Sequence, residues 1–445
     1  MSFVRHTFTN MKLNKIFLVN ILLLCSTFSV LCQDLKFERE RHKQMLKMVT
    51  EDVRNNYFDP AFKGIDLEAK YAAAVDKLKI ASSVGQMSGV IAQFLVDFDD
   101  SHLFFIPPGK RNKSEYGFKF RMFGDTCLVF QIDKEGDAGK RGLAVGDQIY
   151  ALQGYGPTRE NLWKMSYMFF SLRPLPELTL TIVKPDGKQT EFAVPAKIHV
   201  GRPVTDLTES SAINQYIRDS DDAYYRETVQ YYFDKLDGVF IWKMPRFSVD
   251  PPKVDAMIGR AKNAPAMILD LRGNGGGRVD MLLRLIGNVF PLPIKVGDEK
   301  KRKEMKEVTA KSRGKDAFSG KLIVLIDSGS GSASEVFSRV IQIEKRGTII
   351  GDRSAGAVME SRVFGHQVGL DVVVPFGSSI TVADLIMKDG KSLEKIGVTP
   401  DILVIPTGKD LAAKRDIVMA KALEILGITV TPEAAGAFFP EETPN

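Results

Sequence analysis

The stretch Lys321-Leu-Ile-Val-Leu-Ile326, Asp327-Ser-Gly-Ser-Gly331, Ser332-Ala-Ser-Glu335, followed by Val336-Phe337, Val340-Ile341 and Ile343, decides how this chain is read. An unbroken apolar run bounded by Lys and Asp reads as a buried strand. The Gly/Ser cluster reads as a tight turn, and the apolar pairs four residues apart read as one face of a helix. The order is strand, turn, serine, helix. A serine at a helix start sits beside unpaired backbone N–H groups and the positive end of the helix dipole. A nucleophile placed there can attack a carbonyl and have the resulting oxyanion bound at once.

Outward from this unit, apolar runs at Gly238-Val-Phe-Ile-Trp242, Ala266-Met-Ile-Leu-Asp-Leu271 and Thr348-Ile-Ile350 predict further strands, with helical patterns between several of them. Residues 236–406 therefore read as one α/β unit. Residues 407–445 read as one helix, roughly over 411–426, and a Pro/Glu-rich tail. Residues 201–235 are polar and mixed and read as a connector with a helix. Residues 35–112 are helical in pattern, with apolar residues at helical spacing through Met45, Met48 and Val49 and again through Met87, Val90, Ile91, Phe94 and Leu95.

Residues 114–200 carry short β-type runs: Gly117–Phe120, Cys127–Ile132, Gln148–Leu152 and Leu178–Val183. The pattern Ala138…Gly142-Leu143…Gly146-Asp147…Ile149…Leu152…Gly154 resembles a PDZ domain. That resemblance implies a small β-barrel that takes extended peptide C-termini by strand addition, with a carboxylate loop at Tyr116-Gly117-Phe118. The other reading of this region is a small structural β-domain without a peptide groove.

The chain has 445 residues, 44% of them hydrophobic and 26% charged, which suits two to four globular domains. Its 61 basic and 55 acidic side chains give a net charge of +6, too mild and too scattered for a nucleic-acid partner. Lys300-Lys301-Arg302-Lys303 is followed by Glu304 and Glu307 and reads as a solvated loop or helix face. At the N-terminus, Lys12 and Lys15 precede the apolar run from Ile16 to Cys25, and small residues follow. This reads as a secretory signal peptide over 1–32, started from Met1 or Met11 and cleaved near Cys32. The run is short for a membrane span and contains Asn20. A lipid anchor on Cys32 is the rival, disfavoured by the bulk of Leu31. The expectation is a secreted or periplasmic protein with no stable membrane span after signal removal. Cys127 is then left alone, so neither a disulfide framework nor a thiolate metal site is expected.

Asp270-Leu-Arg-Gly-Asn-Gly-Gly-Gly277 follows a predicted strand. Three consecutive glycines let backbone approach a ligand closely and present N–H groups to an anion. No Lys-Ser/Thr follows, so a phosphate loop is disfavoured and half of an oxyanion hole is the better reading. Of five histidines, His6 lies in the signal region, His42 sits in a charged, solvated-looking stretch, and His199 lies at the edge of the PDZ-like region. His366 lies downstream of the serine. His102 sits in Asp97-Phe-Asp-Asp-Ser-His-Leu-Phe-Phe105, where the helical segment ends, and suggests a crevice between domains.

Four motifs in this order resemble the serine peptidases that include the C-terminal processing proteases, the tricorn core enzymes and their retinoid-binding-protein-like relatives. They are Asp-Ser-His at 100–102, Asp-Leu-Arg-Gly-Asn-Gly-Gly-Gly at 270–277, Ser-Ala-Ser-Glu at 332–335 and Glu-x-x-Gly-Val-x-Pro-Asp at 394–401. The resemblance implies a multidomain α/β fold: an N-terminal helical segment, a PDZ-like small β-barrel, and a crotonase-like/ClpP-like α/β peptidase core. The family uses either a Ser–Lys dyad or a Ser-His-Ser-Glu tetrad. Ala357 stands where the dyad lysine belongs, and Lys345 sits at a helix end, so the dyad is disfavoured. The tetrad maps onto Ser332, His102, Ser101 and Glu394. By the same resemblance Ala333 and Gly275 or Gly276 hold the oxyanion. Ser328, Ser330 and Ser334 are rival nucleophiles, and His366 is the rival base. The resemblance thus implies an exported serine endopeptidase acting on extended or unfolded polypeptide through an acyl-enzyme. No metal or nucleotide cofactor is implied, and self-association is compatible with the reading. The alternatives are a catalytically inactive peptidase-like scaffold holding peptide or a hydrophobic ligand, and an adaptor whose PDZ-like module does the work.

Overall fold

The computed structural model describes residues 35–108, 112–200, 229–236, 238–369 and 373–439. The predicted signal peptide, most of the 201–235 connector and the last six residues of the tail lie outside them. No described helix is long and apolar enough to cross a membrane.

The heart of the α/β region is a six-stranded sheet in the order Ile402–Leu403, Thr348–Gly351, Lys321–Ile326, Ala266–Asp270, Val239–Lys243, Tyr231–Leu236. All neighbours are parallel except the last pair. Strands buried on both faces need continuous apolar runs, which is what Leu322–Ile326 and Ala266–Leu269 supply. The helices Pro251–Ala261, Val279–Gly287 and Ala333–Ile343 cover one face. Helix Ile417–Ile425 covers the other through Val418, Met419, Ala422 and Leu423. Helix Ala333–Ile343 buries Val336, Phe337, Val340 and Ile341, roughly 1.5–3 kcal/mol for each. The parallel register aligns Asp270 with Leu325 and Ile326 with Gly351. The loops after these three strands therefore leave the sheet at one edge, the end where open α/β sheets bind their ligands.

A second, antiparallel sheet orders Phe104–Ile106, Val374–Met387, Ile294–Lys301 and Met305–Ala310, with Glu360–Val368 on the other side of Val374–Met387. The stretch 300–303 is the solvated end of the hairpin 294–310 and not a helix face: Lys300 and Lys303 are exposed. Lys300 and Lys301 are strand residues, and the Arg302 guanidinium donates to the Tyr57 carbonyl at 2.9 Å. The N-terminal helices, over 35–56, Leu67–Ile80 and Val84–Val96, share one core with Val368, Phe376 and Ile380 of this sheet and with Met359 just before it. His42 is buried within them rather than solvated: its Nδ1 meets the Glu38 carbonyl at 2.8 Å and its Nε2 meets Ser88 Oγ at 3.2 Å. The expected helix over 411–426 is two helices, Gly408–Ala412 and Ile417–Ile425, broken where Lys414 takes φ 55°.

Residues 118–195 form a separate five-stranded antiparallel sheet, in sequence order from Phe118–Phe123 to Gln189–Pro195, around its own core. Cys127 lies in that core, where burial pushes its thiol up to about 12. The sheet docks on the α/β core through Arg121 paired with Asp327, Arg159 paired with Asp352, and the Ser328 hydroxyl donating to the Met122 carbonyl.

Candidate active site

Ser332 caps helix Ala333–Ile343 with φ 53° and ψ −117°, a conformation that costs a non-glycine residue on the order of 1–3 kcal/mol. Glu335 holds the strained residue in place. Its fully buried carboxyl accepts from Ser332 N at 2.9 Å, Ala357 N at 3.0 Å, Gly356 N at 2.7 Å and Ser354 Oγ at 2.6 Å. Burial pushes this carboxyl above the ordinary carboxylate value, and the donors oppose that shift. The Ala357 carbonyl in turn accepts Ser332 N at 2.8 Å.

The rival serines are engaged. Ser330 Oγ donates to the Leu271 carbonyl at 2.7 Å, Ser334 Oγ donates to the Asn274 carbonyl at 2.8 Å, and Ser328 Oγ donates to Met122. Ser330 and Ser334 are wholly buried, whereas Ser332 is half-buried. Of the four, Ser332 alone has a hydroxyl that donates to no described residue; its oxygen faces the Glu335 N–H across the capping box.

The glycine loop lies against it. A Cβ on Gly276, at φ 97°, would stand 2.6 Å from Ser332 Cβ, so only glycine fits there. Asn274, fully buried, staples loop to turn: its carbonyl accepts Gly331 N at 3.0 Å and its Nδ2 donates to the Met244 carbonyl at 2.8 Å. Its Oδ1 accepts the Gly276 N–H at 2.9 Å, which removes Gly276 from the expected oxyanion donors. Gly275 and Ala333 keep N–H groups without a partner among the described residues. Asp327 fixes the outer part of both turns, accepting Gly273 N at 2.8 Å and Gly329 N at 2.9 Å.

The other half of the site comes from far away in sequence. Glu394 accepts from Ser101 N at 3.0 Å, Ser101 Oγ at 2.8 Å and Val358 N at 3.0 Å. Ser101 Oγ also lies 2.7 Å from His102 Nδ1. The hydroxyl has one proton, and it goes to Glu394, so Ser101 accepts from Nδ1–H. That tautomer leaves Nε2 with its lone pair, as a base requires. Burial pushes the imidazole below its ordinary value, against the charge of Asp100. Burial pushes Glu394 up, against its three donors. Residues 356–358 join the two halves: they bind Glu335 and Ser332 on one side and Glu394 on the other. Among the described residues no hydrogen bond links Ser332 Oγ to the His102 ring.

The rival bases are elsewhere. His366 Nε2 is 2.7 Å from Asp52 Oδ2, and the ring lies against Phe376. His199 is on strand Lys197–Val200, and His6 lies outside the described residues. Lys345 lies past the far end of the 11-residue helix that Ser332 caps, and so more than about 16 Å away. In the predicted carboxylate loop, Tyr116 and Phe118 are buried and the Tyr116 hydroxyl donates to the Leu175 carbonyl at 2.6 Å. The Gly117 carbonyl accepts Asp133 N at 2.7 Å. The loop opens onto strand Phe118–Phe123, which is at the edge of its sheet. Asn274, Glu335 and Asp327 are absent from the sequence-based site. Asn274 and Glu335 stand inside the glycine-loop and serine motifs, and only their contacts reveal what they hold.

Residues 241–404 match peptidase family S41. The chain is 31% identical over 142 residues to the carboxy-terminal-processing protease of Bartonella bacilliformis, covering 31% of this chain and 30% of that protein. It is 31% identical over 181 residues to the tail-specific protease of Haemophilus influenzae, covering 38% of this chain and 25% of that one. The chain thus spans less than a third of the length of either relative. The crystal structure of mature CPAF superposes with a TM-score of 0.64 at 17% identity, covering 84% of this chain and 94% of that one, and shares the multidomain α/β fold.

Proposed function

We propose that this chain, whose residues 241–404 match peptidase family S41, is a serine endopeptidase that cleaves extended polypeptide through an acyl-enzyme. One observation carries the reading: a half-buried serine at a strained helix cap, its hydroxyl proton given to no described residue, and an imidazole with its Nε2 lone pair available are tied to the same backbone strip, 356–358.

His102 Nε2 takes the proton of Ser332 Oγ as the oxygen attacks the substrate carbonyl. The oxyanion forms beside the N–H groups of Ala333 and Gly275. The imidazolium, held by Ser101 and through it by Glu394, gives its proton to the leaving amine as the C–N bond breaks. Water then attacks the acyl-enzyme by the same route in reverse, releasing the new carboxylate and restoring the Ser332 hydroxyl. Substrate binding closes the gap between imidazole and hydroxyl, as is common for sites whose hydrogen bonds tighten only in the complex. The edge of strand Phe118–Phe123 receives the substrate's C-terminal segment. The basic and apolar N-terminal segment directs the chain out of the cytoplasm.

Labelling with a fluorophosphonate probe, mapped by peptide mass spectrometry, tests the reading. The expected result is modification at Ser332, absent in Ser332→Ala, together with cleavage of a denatured protein that the same substitution abolishes. Hydrolysis retained by Ser332→Ala overturns the assignment. Peptide binding by wild-type protein with neither labelling nor cleavage makes the chain a scaffold.

A further inference from the structure

We infer that Asp100 is a positioning residue for the hydrolysis proposed above: a caged, buried carboxylate that fixes the His102 turn and supplies the counter-charge for the imidazolium. This inference rests on that reading of the site.

Asp100 is completely buried. Its Oδ1 accepts the His102 backbone N–H at 3.0 Å and Thr381 Oγ1 at 2.6 Å, and its Oδ2 accepts the Tyr57 hydroxyl at 3.0 Å. All three donors are neutral. Among the described residues no Lys or Arg makes an ion pair with Asp100. A buried carboxylate without a cation is costly to the fold, and folds keep such groups where a charge is needed. The group beside it that becomes cationic during the reaction is His102.

The cage gathers distant parts of the chain. Tyr57 follows the N-terminal helix over 35–56 and is wholly buried, and Thr381 lies on strand Val374–Met387. Phe58 N donates to the Thr381 carbonyl at 3.0 Å, and Arg302 clamps the Tyr57 carbonyl. Burial and the Asp100 charge hold the Tyr57 phenol well above its ordinary value, so it stays a donor. The turn itself is forced: Asp99 takes φ 47°. The Ser379 hydroxyl fixes the far side of the turn by donating to the His102 carbonyl at 2.7 Å.

The other charged groups around the turn are compensated or indirect. Asp99 is exposed and faces Lys395 at 3.1 Å and Lys164 at 3.4 Å, with Lys63 Nζ 3.2 Å from its carbonyl. Glu394 reaches the ring only through Ser101. The Asp100 charge opposes the downward shift that burial imposes on the imidazole.

The test is an NMR titration of the His102 ring, assigned by its loss in His102→Gln, alongside the pH dependence of probe labelling at Ser332. Asp100→Asn keeps the shape and an acceptor for the His102 N–H but removes the charge. Its His102 titration is expected to move down by about one pH unit, with the acid limb of labelling following. Tyr57→Phe withdraws a dipole that screens the carboxylate, so the titration is expected to move up. Opposite signs at one cage are not what a purely structural residue gives. If Asp100→Asn fails to fold, Tyr57→Phe still decides. A titration that is unmoved, or that moves down in Tyr57→Phe, overturns the inference. If wild-type protein neither labels nor cleaves and the titrations still shift as described, the hydrolase reading falls while the Asp100–His102 coupling stands.

Discussion

The two halves of the site are built in opposite ways. The nucleophile half is local: strand Lys321–Ile326, a five-residue turn and helix Ala333–Ile343 are consecutive, and Glu335 reaches back three residues to hold Ser332 N. The base half is assembled across the chain: Ser101 and Glu394 are 293 residues apart, and Asp100 meets Thr381 across 281. Short-range geometry fixes the first, and tertiary packing fixes the second. Loss of packing should therefore disable the base before it disturbs the nucleophile.

The largest effect belongs to the proposed nucleophile and base. Ser332→Ala and His102→Ala are each expected to lower kcat/KM by about 10⁴-fold or more, measured on a denatured protein substrate. The double variant should be little worse than either, because the two act as one unit. Fully multiplicative losses would show that they do not.

Next comes the relay. Glu394→Gln is expected to cost about 10³-fold and Ser101→Ala about 10²-fold in kcat, with KM nearly constant. Loss through KM alone would mean that Glu394 binds substrate rather than orienting the imidazole.

Gly276→Ala probes the nucleophile half by packing alone. A methyl 2.6 Å from Ser332 Cβ, at a φ of 97°, should destabilise the fold by about 2 kcal/mol in chemical denaturation and displace Ser332. An unchanged midpoint would show that the loop yields freely.

The smallest effect is in the pH profile. The proposed base works as a neutral imidazole, and burial lowers the His102 value from 6.5. The rate should therefore hold as pH falls past 6.5 and drop only through the lower folded value of His102, as the ring gains its proton. An acid limb above 6.5 would contradict the buried environment.

The strand–turn–serine–helix unit was legible because its apolar run, glycines and helical spacing are adjacent in sequence. Four of the five parallel strands, 239–243, 266–270, 321–326 and 348–351, read well for the same reason. The long strands Glu360–Val368 and Val374–Met387 did not, because their burial depends on partners brought from residues 35–106 and 294–301. His42 shows the same limit: a charged local stretch carries a buried ring, because the helix carrying Ser88, distant in sequence, packs against it.

Among the candidate residues, the amino-acid order alone separated His102 from four other histidines only through a motif resemblance. The fold added physical grounds: His366 is engaged by Asp52, and three rival serines donate to main-chain carbonyls. Sequence could not show that Asn274 spends the Gly276 N–H, because a loop's hydrogen bonds depend on which groups reach it in space. Residue identity and spacing determined the elements and the chemistry available, since propensity and periodicity act over one turn or one strand. Which carboxylate faces which imidazole was decided by packing, since burial and dielectric are properties of neighbours that the chain brings together only on folding.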